Sequence, residues 1–232
     1  MKKRETIITN RWWQDRSEWS RAKHSVFLVA LFVVFSGVPY MLINQWSAWR
    51  GVTALQVDTA LDGELPFVAW MVLPYISFYL YFPIAAWVGS SSEERDRCLV
   101  FFQRMIGGSW MVFTVFLLLP VEIKLRSQVP DVGGFMGFIL GLLHGVDAPY
   151  NAWPSLHAVL GLLVVLFVRL VQREQGVWSP AKAVIVWTAW SMLIASTMLV
   201  KQHYAFDIVT GIVVALVLWG GWIRPALNRT GR

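Results

Sequence analysis

The chain has 232 residues, of which 56% are hydrophobic and 15% are charged, and its net charge at pH 7 is +6. This composition excludes an ordinary soluble domain, in which about 25% of residues are charged. The positive charge is spread over separate loops, so we expect contact with anionic lipid headgroups and no groove for nucleic acid.

Six segments are long and apolar enough to span a membrane, which takes about 20 residues per helix. Their limits, in chain order, are residues 24–44, 66–89, 99–120, 155–172, 181–200 and 204–224. The segments lack the alternating pattern of transmembrane β-strands. We therefore predict an all-α integral membrane protein, a six-helix bundle that occupies residues 24–232 as one domain. Its first apolar run, which begins near Ser25, is interpreted as an uncleaved span.

The segment before the first span, residues 1–23, is basic and rich in tryptophan. Trp12, Trp13 and Trp19 are interspersed there with arginine and lysine. This mixture is typical of a helix that lies in the cytoplasmic interface of a membrane. A partly disordered basic tail explains the same pattern equally well.

Lysine and arginine favour one side of the predicted bundle. The two tails and the second and fourth connections carry fifteen of these residues, whereas the first, third and fifth connections carry four. Because positively charged loops stay in the cytoplasm, we expect both termini inside. The size of the chain and this charge bias favour the bacterial inner membrane.

The third connection, roughly residues 121–153, is the longest and contains regularly spaced glycines. Gly133, Gly137, Gly141 and Gly145 recur at every fourth position among large apolar residues, which would place them on one helix face. The stretch is too short to cross a membrane, so we predict a short re-entrant or interfacial helix before the fourth span. Close helix packing is the expected use of this glycine stripe; a lipid entrance beside a site is the alternative.

Two short motifs place ionisable side chains at the mouths of the fourth and sixth spans. The first is Pro154–His157 (PSLH), and the second is Lys201–Asp207 (KQHYAFD). Both spans begin on the predicted outer side, so the motifs should lie at the same depth. Because ionisable groups at membrane depth are costly, these motifs indicate a functional site.

The residue types in the motifs suit phosphoryl transfer. Ser155 and His157 would occupy the first turn of a helix, where free N–H groups and the helix dipole favour an anion such as phosphate. His203 and Asp207 share a helix face, so the carboxylate can fix the tautomer of the imidazole. Lys201 adds a cation. A nucleophile (His203), a proton donor (His157) and a positive group are thus all present.

Other uses of these residues are open on sequence grounds. His157, His203 and Asp207 could form a metal site, since all three are good ligand types. They could also form a proton relay in a transporter, although the chain shows no inverted repeat. His24 and His144 are interpreted as interfacial side chains.

At these residues the chain resembles the type-2 phosphatidic acid phosphatase superfamily, whose members are six-helix lipid phosphatases and phosphotransferases. The family pattern is K-x6-R-P, then P-S-G-H, then S-R-x5-H-x3-D, and its chemistry uses a phosphohistidine without metal. The resemblance implies that His203 is the nucleophile, Asp207 its orienting partner and His157 the general acid. Ser155 would assist in the phosphate pocket, and no cofactor is expected.

Within the superfamily, the chain is similar to the branch that contains inositol phosphorylceramide synthases and their bacterial relatives. The segments that carry this likeness are Asp62–Phe67 (DGELPF), Asp147–Ala152 (DAPYNA) and Lys201–Tyr204 (KQHY). The resemblance covers about residues 55–220. It implies a lipid phosphate as substrate and membrane lipids as the other partners.

The chain departs from the family pattern in each motif. Leu156 replaces the glycine of the second motif, and Thr197 stands where the third motif has arginine. Lysine and arginine occur in the region of the first motif, but no Arg-Pro follows at the family spacing. The sequence therefore leaves open whether Lys201, Lys124 or Arg126 is the cation that binds phosphate. The predicted substrate-binding residues are Ser155, Lys201, Lys124, Arg126 and Asn151.

The resemblance implies an enzyme that removes or transfers a phosphate group of a lipid at the outer membrane face. Isoprenoid pyrophosphates, phosphatidate and phosphatidylglycerophosphate all fit hydrolysis. Head-group transfer to a lipid alcohol such as ceramide or diacylglycerol is the alternative, and it shares the first half-reaction. A proton-coupled transporter and an inactive scaffold are weaker alternatives.

Overall fold

A computed structural model describes residues 18–50 and 55–230. Six of the helices in this part of the chain are long and apolar enough to cross a membrane. The eight helices used below are α1 (Arg21–Trp49), α2 (Ala60–Glu64), α3 (Ala69–Gly89), α4 (Arg95–Leu118), α5 (Gly134–Val146), α6 (Leu156–Glu174), α7 (Pro180–Leu199) and α8 (Ala205–Thr230). Only α2 and α5 among these are too short to span. The predicted all-α bundle of an integral membrane protein is confirmed, while most of the basic segment 1–23 lies outside the described residues.

Proline shapes the first span. Pro39 has no N–H to donate to the carbonyl of Phe35, and its ring crowds that oxygen, so the helix opens into π-helical geometry at Val33–Gly37. The indole N–H of Trp110 on α4 donates to the oxygen of Phe35 instead, at 2.9 Å. This hydrogen bond joins the irregular turn of α1 to helix α4. A second π-helical segment, Trp219–Ile223, also precedes a proline.

Helix α6 is the centre of the bundle. It is the most buried of the six spans, with 72% of the residues in its apolar stretch buried inside the protein. It packs against α3, α4, α7 and α8. Phe167 of α6 stacks on Phe101 of α4, with ring centroids 4.0 Å apart. Leu42, Val184 and Val217 on the outer helices are exposed, as expected of side chains that face lipid. The start of α6 is therefore fixed by helices on several sides.

The predicted short helix before the fourth span is present as α5, an apolar helix of 13 residues. Leu140 packs into a small core beside α3, whereas Phe135 and Phe138 are exposed. A Cβ added to Gly141 or Gly145 would meet no atom of the described residues within 4 Å. At these two positions the glycine stripe makes no close helix contact with the described residues, contrary to the packing that we expected.

The C-terminal half of α1 holds the segment that leads into the first motif. The side-chain amide of Asn44 donates to the carbonyls of Ala148 and Tyr150 at 2.9 and 3.2 Å, and its oxygen accepts from the N–H of Ala148 at 2.8 Å. The hydroxyl of Tyr40 donates to the carboxylate of Asp147 at 2.8 Å. These bonds fix the approach to Pro154, which follows a cis peptide bond.

Candidate active site

The two sequence motifs meet where α6 and α8 begin. Nε2 of His203 lies 3.2 Å from the hydroxyl of Ser155 and 3.2 Å from Nδ1 of His157. Nδ1 of the same ring faces Oδ2 of Asp207 at 3.4 Å. The structure therefore brings together the three residues that the sequence predicts to be catalytic, and it adds Ser155 to them. Their chemical roles stay predictions.

Ser155 connects the starts of the two helices. Its hydroxyl caps α6 by accepting from the N–H of Ala158 at 3.4 Å, and its own N–H donates to the carbonyl of Asp207 at 3.1 Å. The first turn of α6 thus opens directly beside the ring of His203. Because the start of a helix carries partial positive charge and free N–H groups, this position favours a phosphate oxygen.

Asp207 is fully buried and occupies the first turn of α8. Its Oδ2 accepts from the N–H of Tyr204 at 2.9 Å and faces Nδ1 of His203, while its Oδ1 has no hydrogen-bond partner among the residues that the structure describes. A carboxylate in this place favours the tautomer with the proton on Nδ1. Nε2 of His203 then carries the lone pair, and it faces Ser155 and His157.

Aromatic rings hold the second imidazole. The centroids of Tyr75 and Phe78 on α3 lie 4.6 and 4.5 Å from that of His157. Both aromatic side chains are buried, at 2% and 8% exposure. These two rings pack against the imidazole of His157 and keep it beside that of His203. This contact could not be predicted from the sequence, because neither ring belongs to a motif and aromatic residues are frequent in this chain.

A second polar cluster adjoins the histidine pair. The guanidinium of Arg126 donates to the carbonyl of Asp147 and to the side-chain oxygen of Gln202, both at 2.6 Å, and its Nε is buried without a partner in the described part of the chain. The amide nitrogen of Gln202 contacts Nε2 of His144 at 2.9 Å. Gln202 directly precedes His203, so the cluster is joined to the predicted nucleophile through the chain.

Burial changes the pKa of two charged groups in this cluster. Burial lowers the pKa of the Arg126 guanidinium, and the neighbouring carboxylate of Asp147 opposes that change. Burial also raises the pKa of Asp147, against the effects of the Tyr40 hydroxyl, Arg126 and His203. Arg126 and Asp147 thus each oppose the effect of burial on the charge of the other.

The remaining predicted binding residues lie in different surroundings. The ammonium of Lys201 donates to the carbonyls of Asp62 and Leu65, at 3.2 and 2.6 Å. Lys124 is exposed at the rim of a cavity of about 320 Å³, and its N–H donates to the hydroxyl of Tyr204 at 3.0 Å. Asn151 is buried, and its Nδ2 has no partner within residues 18–50 and 55–230. The ammonium of Lys201 is thus bound to protein carbonyls. The sequence did not predict this contact.

The geometry of the site does not suit a metal ion. Within residues 18–50 and 55–230, no three His, Cys, Asp or Glu side chains come together as a metal site requires. His157 and His203 face each other through Nδ1 and Nε2, whereas Asp207 lies at the opposite nitrogen of His203. An ion between the two imidazoles would therefore be out of reach of the carboxylate.

The fold and the site together define an integral membrane protein of the phosphatase type. The family model of the PAP2 superfamily matches residues 48–220, which include both motifs, and the chain belongs to that superfamily. The resemblance to this superfamily is therefore confirmed. No curated protein and no solved structure matches the chain.

Proposed function

We propose that the protein is a lipid phosphatase that works through a phosphohistidine on Nε2 of His203. The proposal rests chiefly on the surroundings of this ring, since Nδ1 faces a buried carboxylate and Nε2 faces Ser155 and His157. A nucleophile needs a free lone pair and a partner that stabilises the charge formed after attack. His203 has both: Nε2 carries the lone pair, and on the opposite side of the ring the Asp207 carboxylate faces Nδ1.

In the first step, Nε2 of His203 attacks the phosphorus atom, and the bond from phosphorus to the lipid oxygen breaks. His157 gives a proton to that leaving oxygen. Asp207 stabilises the positive charge of the phosphorylated imidazole through Nδ1. The incoming phosphoryl group takes the place of the present contacts of Nε2 with Ser155 and His157.

In the second step, water attacks the phosphorus atom while His157 accepts a proton from it. The nitrogen–phosphorus bond breaks, inorganic phosphate leaves, and His203 returns to its starting state. No cofactor or metal takes part in either step, because the nucleophile, the acid and base, and the binding groups are all side chains or backbone N–H groups. His157 thus serves first as an acid and then as a base.

The phosphate oxygens would be bound by the start of α6 together with Ser155 and a cation. Arg126 is the cation that the geometry favours, because Gln202 and Asp147 hold its guanidinium beside the second motif. Its buried Nε has no partner among the described residues, and in this proposal it donates to a phosphate oxygen of the bound substrate. Lys124 at the rim and the free amide of Asn151 are proposed to complete the binding set.

The proposed substrate is a phosphate ester or pyrophosphate of a lipid, such as an isoprenoid pyrophosphate, phosphatidate or phosphatidylglycerophosphate. A lipid substrate suits a site at the ends of helices whose outer faces are apolar. With both termini in the cytoplasm, as the distribution of lysine and arginine indicates, the site would open to the exterior of a bacterial inner membrane.

Head-group transfer to a lipid alcohol is the second candidate function. The three segments that resemble inositol phosphorylceramide synthases are in contact around the site. Lys201 binds carbonyls of Asp62 and Leu65, and Arg126 joins Asp147 to Gln202. Such an arrangement supports membership of that branch, in which a lipid alcohol replaces water in the second step.

A panel of lipid phosphates presented to the purified protein tests the proposal. Each lipid is offered with and without ceramide or diacylglycerol, and both free phosphate and new lipids are measured. Release of phosphate without an acceptor supports hydrolysis, whereas a new lipid formed only with an acceptor supports transfer. Turnover in neither case, or turnover unchanged in His203→Ala, contradicts the proposed function.

A further inference from the structure

We infer that Asp62 is a positioning residue for His203 and acts together with Lys201. The two residues hold the turn at residues 200–204, here called the nucleophile turn, against the segment Asp62–Phe67. The inference rests on the proposed function, because it assumes that His203 is the reacting group. Asp62 and Lys201 thus influence the reaction through the position of His203, and they do not touch the reacting atoms.

Asp62 joins two helices through one carboxylate. It is 1% exposed, and its Oδ1 accepts from the N–H of Ala205 at 2.6 Å. Its Oδ2 accepts from the N–H and the hydroxyl of Thr59, both at 2.7 Å. Ala205 is the first residue of α8, so its N–H has no partner inside that helix. The carboxylate therefore caps α8 from another part of the chain while it closes the start of α2.

Lys201 holds the other side of the nucleophile turn. Its side chain is buried, and the ammonium donates to the carbonyls of Asp62 and Leu65 at 3.2 and 2.6 Å. Its backbone φ is +60°, a left-handed conformation that a lysine rarely adopts and that surrounding contacts must maintain. Burial lowers the pKa of Lys201, and the charge of Asp62 opposes this change. The ammonium of Lys201 is thus held by the backbone of the segment that also carries the Asp62 carboxylate.

These contacts lie on either side of His203 in the chain. Lys201 precedes the histidine by two residues and Ala205 follows it by two, and both are bound to Asp62. A further bond, from the N–H of Val68 to the carbonyl of Leu199 at 3.0 Å, joins the residues that adjoin these two segments. The position of the imidazole therefore depends on Asp62. Because a displacement of about 1 Å can cost a reaction about 100-fold in rate, this dependence should appear in the chemical step.

Kinetics of the full-length protein in lipid nanodiscs test the inference, with the best substrate from the panel. We expect Asp62→Ala and Lys201→Met each to lower kcat by about 10-fold to 100-fold while KM changes by less than about threefold. Asp62→Asn should recover part of the loss, because its side-chain oxygen can still accept from Ala205. Glu64→Ala, on the exposed side of the same short helix, is the matched control and should behave like the wild type.

A double-mutant cycle separates positioning from direct binding of phosphate by Lys201. If both residues act through the nucleophile turn, the double variant should lose about as much kcat as the more severe single variant. Losses that multiply, or a Lys201→Met variant that mainly raises KM, would overturn the inference and make Lys201 a phosphate ligand. If Asp62→Ala does not yield folded protein, Asp62→Asn and Lys201→Met provide the cycle. Unchanged kcat in the Asp62 variants, with His203→Ala inactive, would refute the inference and leave the proposed function standing.

Discussion

Gly211 of α8 packs directly against the backbone of Ser155. A Cβ at position 211 would come within 2.8 Å of the carbonyl oxygen of Ser155 and 2.9 Å of Cβ of Ala158. Glycine thus permits the close approach of α6 and α8 just below the candidate site. The distance between Ser155 and Nε2 of His203 depends on this approach, because the two residues lie at the starts of these helices.

Replacement of Gly211 by alanine should therefore impair both stability and activity. The added methyl group pushes α8 away from α6, which should destabilise the protein by about 1–3 kcal/mol and lower kcat at least about tenfold. Thermal unfolding and steady-state kinetics measure the two effects. Gly141→Ala is the control, since no atom of the residues that the structure describes lies within 4 Å of that added Cβ. Equal behaviour of the two variants would show that the contact of Gly211 is unimportant for the site.

Asp207→Asn should impair turnover without eliminating it. The amide keeps the shape of the side chain, but it loses the charge that favours a proton on Nδ1 of His203. By comparison with other orienting carboxylates, we expect kcat to fall by about 100-fold to 10⁴-fold. Phosphate release at saturating substrate measures the loss. A variant as active as the wild type would remove Asp207 from the mechanism.

Turnover should resist chelators. The nucleophile and the proton donor are both imidazoles, and the described residues offer no converging set of metal ligands. Activity assayed after EDTA treatment and dialysis should therefore stay within about twofold of the untreated protein, since the mechanism uses none of the functions of a catalytic metal. Loss of activity in EDTA that added zinc restores would favour the metal interpretation of the two histidines.

His144 should make the protein less stable in mild acid. Burial, aided by the positive charge of Arg126, lowers the pKa of His144 in the folded protein. The unfolded chain takes up a proton at this residue near pH 6.5 and the folded chain does not, so stability is lost as the pH falls below about 6.5. The drop in Tm between pH 7 and pH 5 should be smaller in His144→Gln than in the wild type. An identical drop in both proteins would contradict this role.

The spans could be predicted because their signal is local. Length and hydropathy gave α6 as residues 155–172, against Leu156–Glu174 in the structure. The first span extends beyond its predicted end at residue 44 to Trp49. Hydropathy falls at Asn44 and Gln45, but their side chains bind the loop at residues 146–150, so the helix continues. Polar residues that serve the fold are thus easily mistaken for the end of a span.

The candidate site was predictable where its residues are close in the sequence or lie in the two motifs at the starts of the fourth and sixth spans. The four-residue spacing of His203 and Asp207 implies their contact, whereas the bond from Lys201 to Asp62 joins residues that are 139 positions apart. The aromatic contact of Tyr75 with His157 likewise has no local signal. Periodicity placed the glycines of α5 on one face but could not tell which way that face would turn. The orientation of a helix depends on its tertiary contacts.

Isolation of the phosphorylated protein tests the central claim most directly. The protein is mixed with a substrate that carries a labelled phosphate, quenched in alkali within the first turnover, and digested to find the labelled residue. We predict a label on His203 that is stable in base and lost in acid, and that is absent from His203→Ala. A label on another residue, or full turnover by His203→Ala, would contradict the account.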